Sequence, residues 1–269
     1  MKQTFSVTLC PVGRAHLNAI AVDYVIDFIK FHKLLFELYF FFSTLDRKNF
    51  LIDTYYMYFR TEGVILAKKN FGEADRILTI YTRDHGKITA LAKGVRRPKS
   101  RKSGHVELGN WCKIFVAKGK NLDLLTEVEL KKAFGVENFS QEKANKIYHL
   151  LELVNQLTAE KQKNPSVFIL LVNFLKKISK DEDFNLISVS FKVKLLSNLG
   201  FFSARNITNI KVKKVLGIVE DGDYETIKQK INLSRNSYLK LLLFLDSMIE
   251  SLIDTKLKTN RFLNGKFQT

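Results

Sequence analysis

Residues 60–101 read RTEGVILAKKNFGEADRILTIYTRDHGKITALAKGVRRPKSR, and they decide the fold of the region around them. Short apolar runs alternate here with turn residues, a spacing that is typical of β-strands joined by hairpins. The runs at 61–68, 76–83 and 87–95 predict three strands. Asp84-His85-Gly86 predicts a tight turn between the second and the third, because glycine accepts the positive φ that such a turn needs.

Outward from this stretch, runs at 111–118 and 122–130 predict a fourth and a fifth strand, joined by a second glycine-containing turn at 118–121. Strands joined by short hairpins pair antiparallel. Five short strands can bury a core by curling into a closed barrel, which also removes exposed sheet edges. The pattern therefore predicts an OB-like barrel, with an SH3-like barrel or another small sheet as the alternative.

After residue 130 the apolar spacing changes to that of amphipathic helices. Four helices are predicted, at 142–160, 167–178, 186–199 and from the N-cap Ser234 toward 258. The segment between the third and fourth, residues 201–231, is mixed. The predicted fold class is α+β, with a five-stranded OB-fold barrel at 57–132 followed by an all-α helical domain at 133–269.

Residues 1–56 differ from the rest of the chain. They hold eight of the 22 phenylalanines, but their six Lys/Arg and five Asp/Glu contribute only +1 to the net charge of +17. Their apolar spacing is nearer that of a helix than of a strand, and the charged residues within 19–42 argue against a membrane span. Since Met57 directly precedes the first predicted strand, we expect an upstream start chosen in error; a genuine extension of uncertain structure is the alternative.

The densest charge cluster is the basic loop, residues 93–102, in which six of ten residues are Lys or Arg and none is acidic. Like charges this close repel one another unless a polyanion arrives. Cations that replace the counterions of a phosphate backbone bind nucleic acid of any sequence. A loop charged only for solubility is the alternative. The predicted DNA-binding residues are Lys93, Arg96, Arg97, Lys99, Arg101 and Lys102, with Arg76, Lys87, Lys113 and Lys118 extending the track along the barrel.

Aromatic rings near the predicted barrel could extend such a surface by stacking on bases. The candidates are Phe71, Tyr81, Trp111 and Phe115. Rings in a small barrel more often belong to its core, so the cations rank above them. An RNA-binding barrel protein would share the basic loop, and would differ by preferring RNA over DNA at matched salt.

Patterns for catalysis or metal binding are sparse. Glu73 and Asp75 could hold a metal ion, but a two-metal nuclease needs more converging carboxylates. The sequence contains no GxxxxGK[ST], GxGxxG or GxSxG stretch, which argues against a P-loop ATPase, a dinucleotide enzyme and a hydrolase nucleophile elbow. Cys10 and Cys112 form neither a CxxC pair nor a disulfide framework. We therefore expect a protein of the cytoplasm with no catalytic residues.

The quoted run at 60–101 strongly resembles the amino-terminal barrel of the RecO family of bacterial DNA repair proteins. FKVKLLSNLGF at 191–201 resembles the family's central helix, and 238–263, which ends LKTNRFL, resembles its last helix. The resemblance thus covers about residues 57–266. It implies a non-enzymatic recombination mediator that binds single- and double-stranded DNA, promotes strand annealing and helps to load RecA on DNA coated by the single-stranded DNA-binding protein SSB.

The same resemblance implies several partners, and this sequence departs from the family pattern at one place. The implied direct partners are RecR and the acidic C-terminal tail of SSB. RecA is an indirect partner, and RecF is a further candidate. The resemblance also implies that the protein associates with the nucleoid. Many family members bind zinc through four cysteines after the central helix, whereas 202–231 contains none, so we expect no zinc.

The basic, amphipathic helices of the second half predict an apolar groove that binds an acidic peptide with a hydrophobic end. The candidate cations at the edge of this groove are Lys192, Lys194, Lys240 and Arg261.

Overall fold

The computed structural model describes residues 57–134, 140–180 and 182–264. The chain divides between Tyr56 and Met57, and everything described below lies after that division. The expectations for residues 1–56, namely helix-like spacing and a start chosen in error or a genuine extension, lie outside the described residues.

Five strands form a closed barrel in the order β1-β2-β3-β5-β4. They are β1 (Tyr58–Phe71), β2 (Asp75–Thr82), β3 (Gly86–Ala92), β4 (Trp111–Ala117) and β5 (Asp123–Lys132). All five predicted strands are confirmed, with ends that differ by a few residues. β1 is the longest, at 14 residues, and it pairs with both β2 and β4. This shared strand joins β2 to β4, and pairing of β3 with β5 closes the barrel.

One pair in the barrel departs from the antiparallel expectation. β3 and β5 run parallel, with Ala90 opposite Asp123 and Leu91 opposite Leu124. Parallel neighbours need a crossover connection, and here it consists of the basic loop, a 3₁₀ turn at Ser103–Val106 and β4. This strand order confirms the OB-fold barrel over the SH3-like alternative.

The predicted hairpin turns contain Gly86 and Gly119, and each turn requires glycine for a different reason. Gly86 has φ +68°, as expected, and a Cβ built there would lie only 2.1 Å from the carbonyl oxygen of Gln162. Gly119, for which positive φ was expected, is not among the glycines with positive φ. A Cβ on Gly119 would instead lie 2.0 Å from the carbonyl oxygen of Leu122. Close approach of backbone, and not a left-handed φ, is therefore what this turn requires.

The four predicted helices are confirmed, and the mixed segment contains two more. The helices are α1 (Gln141–Leu157), α2 (Pro165–Ser179), α3 (Phe184–Asn198), α4 (Ile210–Asp221), α5 (Tyr224–Lys230), α6 (Arg235–Ile253) and α7 (Asn260–Asn264). Side chains of Asn209 and Asp223 accept hydrogen bonds from the first backbone N–H groups of α4 and α5, which is the role of a good N-cap. No helix among the described residues is long and apolar enough to cross a bilayer.

The apolar side chains form two cores. One fills the barrel interior, and the other lies among the helices and extends onto the outside of the barrel through Val64, Leu66 and Tyr81. The hydroxyl of Tyr81 donates to the carbonyl oxygen of Asn164, 3.3 Å away, just before α2. Within the described residues, the helices therefore cover one wall of the barrel, and five cations of the basic loop are exposed.

Candidate nucleic-acid interface

The basic loop is fixed at its start to the β1–β2 turn. Val95 is fully buried in the barrel interior. The backbone N–H of Gly94 donates to a carboxylate oxygen of Asp75 at 2.7 Å, and that of Arg96 donates to the carbonyl oxygen of Ala74 at 2.8 Å. Preorganised in this way, the loop needs little further ordering when a ligand binds.

The predicted loop cations share one exposed region. Lys102 is half-buried, and its ammonium donates to the carbonyl oxygen of Leu125 at 3.4 Å. Within the described part of the chain, no ion pair involves any of the other five, Lys93, Arg96, Arg97, Lys99 and Arg101, all of which are exposed. Their positive charges are thus available to phosphates at one end of the barrel.

An exposed aromatic ring lies beside these cations. Phe71 ends β1 and is 51% exposed, and the guanidinium of Arg96 donates to the carbonyl oxygen of Gly72 at 3.3 Å. The sequence predicts Phe71 as one of four possible stacking rings but does not link it to the loop. Arg76 pairs with Ala92 across β2 and β3, which places the β1–β2 turn beside the start of the basic loop. Phe71 comes directly before that turn, so it lies close to the loop.

Arg76 and Lys87 do not extend an open track. The guanidinium of Arg76 pairs with the buried carboxylate of Glu107 at 2.9 Å, and Lys68 pairs with the same carboxylate. The ammonium of Lys87 donates to the carbonyl oxygen of Asn155 in α1 at 2.6 Å. Burial lowers the pKa of Lys87, although the nearby carboxylate of Glu160 acts to raise it. Both side chains bind protein groups, so the proposed interface does not include them.

Lys113 and Lys118 lie apart from the loop. Lys113 is exposed, pairs with Glu129 at 3.8 Å, and lines a cleft of about 640 Å³ that holds charges of both signs. Lys118 lies in the β4–β5 turn, and its charge acts on His85 in the β2–β3 turn. Because the β1–β2 and β2–β3 turns are at opposite ends of β2, Lys118 lies at the far end of the barrel from the basic loop.

The other three candidate rings are engaged within the protein. Tyr81 is fully buried, which raises its pKa to about 12. The indole N–H of Trp111 donates to the carboxylate of Glu62 at 3.1 Å. Phe115 stacks on Tyr58, with ring centroids 5.6 Å apart, and carries the guanidinium of Arg60 over its face. Phe71 is therefore the ring of the four best placed to meet a base.

The two candidate metal ligands, Glu73 and Asp75, lie in different surroundings. Asp75 accepts the hydrogen bond from Gly94, while Glu73 is exposed to solvent. Across the described ranges, no group of three or more His, Cys, Asp or Glu side chains could hold a metal ion. Cys112 is buried in the barrel interior, and burial raises the pKa of its thiol to about 12.

The four candidate cations of the helical half are dispersed. Lys192 is 2% exposed and its ammonium pairs with Asp246 at 2.5 Å, so an incoming peptide cannot reach it. Lys194 donates to the carbonyl oxygen of Glu220 at 3.1 Å, and Arg261 is exposed on α7. Lys240 is exposed at the edge of an apolar groove of about 640 Å³, whose other lining residues include Ile207, Val212, Val215, Leu233, Leu241 and Phe244.

The closed barrel and the helices attached to it define an OB-fold protein with a helical second half. Two family models match the chain: "Recombination protein O N terminal" over residues 57–134 and "Recombination protein O C terminal" over residues 146–203. The chain belongs to the RecO family.

Curated relatives carry the same family name. The chain is 32% identical over 143 residues to the DNA repair protein RecO of Pelotomaculum thermopropionicum, covering 53% of this chain and 56% of that one. It is 33% identical over 145 residues to the protein of that name from Acetivibrio thermocellus (54% and 58%), and 37% over 126 residues to that of Bifidobacterium longum (45% and 52%). The matched region thus spans about half the length of these curated relatives.

Proposed function

We propose that this chain is a DNA repair and recombination mediator that works by binding, without making or breaking covalent bonds. It binds single- and double-stranded DNA at the loop end of the barrel, promotes annealing of complementary strands, and helps to load RecA on SSB-coated DNA in the cytoplasm, at the nucleoid. The observation that carries the proposal is the group of five exposed cations held in a preorganised loop at the open end of an OB barrel. Membership of the RecO family supports the same role.

Electrostatics explain how such a surface accelerates annealing. Two complementary strands repel each other through their phosphates, and bound cations lower that repulsion. Holding the strands on one protein also raises their local concentration. Neither effect requires nucleotide hydrolysis, and release of counterions makes both sensitive to salt.

Strand annealing on SSB-coated oligonucleotides tests this function. The loop variant, defined as Arg96→Ala, Arg97→Ala and Lys99→Ala together, should anneal roughly tenfold or more slowly than the wild type, because three phosphate contacts are lost. Its matched control replaces Lys163, Lys256 and Lys258 by Ala, all exposed and outside the loop. Equal rates for the loop variant and the wild type would refute the assigned site, and a wild type that prefers RNA at matched salt would refute the DNA assignment.

The partners belong to the proposal as well. RecR and, more indirectly, RecA and RecF are expected to act with this chain, and the acidic tail of SSB is expected to lie in the apolar groove that Lys240 edges. Aliphatic and aromatic walls suit the hydrophobic end of that tail, while Lys240 and Lys211 attract its carboxylates. Lys192 and Lys194, which bind protein groups, are left out of this surface.

The groove assignment has a direct test. Lys240→Glu should weaken binding of a labelled acidic peptide with a hydrophobic end about tenfold, since it turns an attraction into a repulsion. Lys256→Glu makes the same charge change on an exposed site outside the groove and should leave binding unchanged. Equal titration curves for both variants would show that the peptide binds elsewhere.

A further inference from the structure

A second cationic surface lies on the helical half, within residues 201–231, where the sequence pattern is mixed. A cleft of about 720 Å³ opens between the 3₁₀ turn Ala204–Asn206, α4 and α5. We call it the basic cleft. It is lined by four exposed cations, which are Arg205, Lys213, Lys214 and Lys230.

Two carboxylates, Glu220 and Asp221, also line the cleft, and Glu220 accepts two hydrogen bonds. One oxygen of Glu220 accepts from the backbone N–H of Ala204 at 2.8 Å, and the other accepts from the hydroxyl of Ser197 at 2.9 Å. Asp221 is the remaining carboxylate in the lining. The side chain of Lys213 donates to the carbonyl oxygen of Arg205 at 2.9 Å, a bond that leaves its charge in place. Among the described residues, none of the four cations forms an ion pair.

The composition of the cleft points to the chemistry of its ligand. Four cations against the two carboxylates of Glu220 and Asp221 leave a positive local charge, which is relieved when an anion of high charge density binds. Arg205 offers a planar fork and the lysines offer point charges, which together suit phosphates. The hydroxyls of Ser203 and Thr226 are further polar groups in the lining. An apolar peptide end fits the neighbouring groove, which meets α4 through Val212 and Val215, better than this polar cleft.

We propose that the basic cleft binds the phosphodiester backbone of a second nucleic-acid strand while the basic loop holds the first. This inference rests on the proposed function, because it supplies the second strand that annealing needs. Two cationic surfaces on one chain make the encounter between the strands intramolecular, with a correspondingly high effective concentration.

The experiment measures what remains when the loop site is removed. The loop variant should keep weak, salt-sensitive binding of a labelled oligo-dT, measured by fluorescence anisotropy. Adding Lys214→Gln and Lys230→Gln should reduce that residual affinity about twentyfold in ~0.1 M salt, since each lost phosphate contact removes about 0.7 log units. Adding Lys256→Gln and Lys258→Gln instead should change nothing. Lys213 is left intact because its hydrogen bond ties α4 to the 3₁₀ turn.

The outcomes separate the two proposals. A wild type that binds no oligonucleotide refutes the proposed function itself. A wild type that binds and a loop variant that does not bind leave the loop site standing and overturn the basic cleft. Residual binding that ignores the Lys214 and Lys230 changes, or lysine protection in the cleft by an acidic peptide but not by oligo-dT, also overturns it. Thermal melts of each variant check folding, since substitutions at exposed positions rarely change stability.

Discussion

The basic loop and the interior around Lys192 place lysine and arginine in opposite environments. In the loop, five cations face solvent and no ion pair to a described residue neutralises them. Between α3 and α6, Lys192 is enclosed by helices, with Asp246 as its ion-pair partner. The same residue type is therefore exposed to solvent in one region and part of the internal structure in the other.

The difference follows from the dielectric around each charge. Burial lowers the pKa of Lys192, and Asp246 opposes that change by stabilising the charged form. A charge in water needs no such partner and stays free to meet a phosphate. Removing the loop cations should thus affect binding and spare stability, while disrupting the internal pair should do the reverse.

The largest expected effect is on stability, at the internal pair. Asp246→Ala leaves Lys192 buried without its carboxylate, which should lower the free energy of unfolding by about 3 kcal/mol. Glu129→Ala is the control, because it also removes one partner of an ion pair, but at an exposed site, and should cost less than about 1 kcal/mol. Chemical denaturation measures both.

A second variant keeps this test decisive. Lys192→Met together with Asp246→Leu replaces the pair by apolar groups of similar size and should recover most of the lost stability. DNA affinity should remain that of the wild type in every folded variant. If Asp246→Ala unfolds at the same denaturant concentration as Glu129→Ala, the internal pair is not stabilising and the comparison fails.

The next effect concerns affinity at the loop. In ~0.1 M salt the loop variant should bind single-stranded DNA about a hundredfold more weakly, since three phosphate contacts each contribute about 0.7 log units. The slope of log affinity against log salt should become shallower by about 2. Its melting temperature should stay unchanged. Titrations at several salt concentrations measure the slope, and an unaltered slope would show that these cations do not contact phosphates.

The smallest effect distinguishes single strands from duplex. Phe71→Ala should weaken single-strand binding about fivefold, because stacking of one base on an aromatic ring is worth about 1 kcal/mol or slightly more. Duplex binding should not change, since paired bases are already stacked on each other. Phe71→Trp should retain single-strand affinity. An equal loss on both kinds of DNA would assign Phe71 to the shape of the loop and not to base contact.

Local patterns predicted much of this architecture. Turn residues such as Gly86 delimit the strands, the 3.6-residue apolar spacing identifies α1 and α2, and the terminal signals Gly200 and Ser234 mark the end of α3 and the start of α6. The basic loop was also predicted from sequence alone, because a run of six cations without a carboxylate has few structural uses. These features depend on neighbours in the sequence, which is why no structure was needed to find them.

Features that depend on distant partners could not be predicted. The burial of Lys192 needs Asp246, which lies 54 positions later, and the loss of Lys87 from the open surface depends on Asn155 in α1. The helices α4 and α5 bury two residues each, and α5 is only seven residues long, which is too short to show a repeating apolar pattern. A charged side chain in a sequence is expected in solvent, and only the fold reveals a partner that buries it.

The covered wall of the barrel limits how this molecule can be divided. Val64, Leu66 and Tyr81 face outward from the strands yet belong to the helical core. A barrel expressed without the helices would expose these side chains to water as a hydrophobic patch, and such patches promote aggregation. The barrel therefore depends on the helices to keep these three side chains out of water.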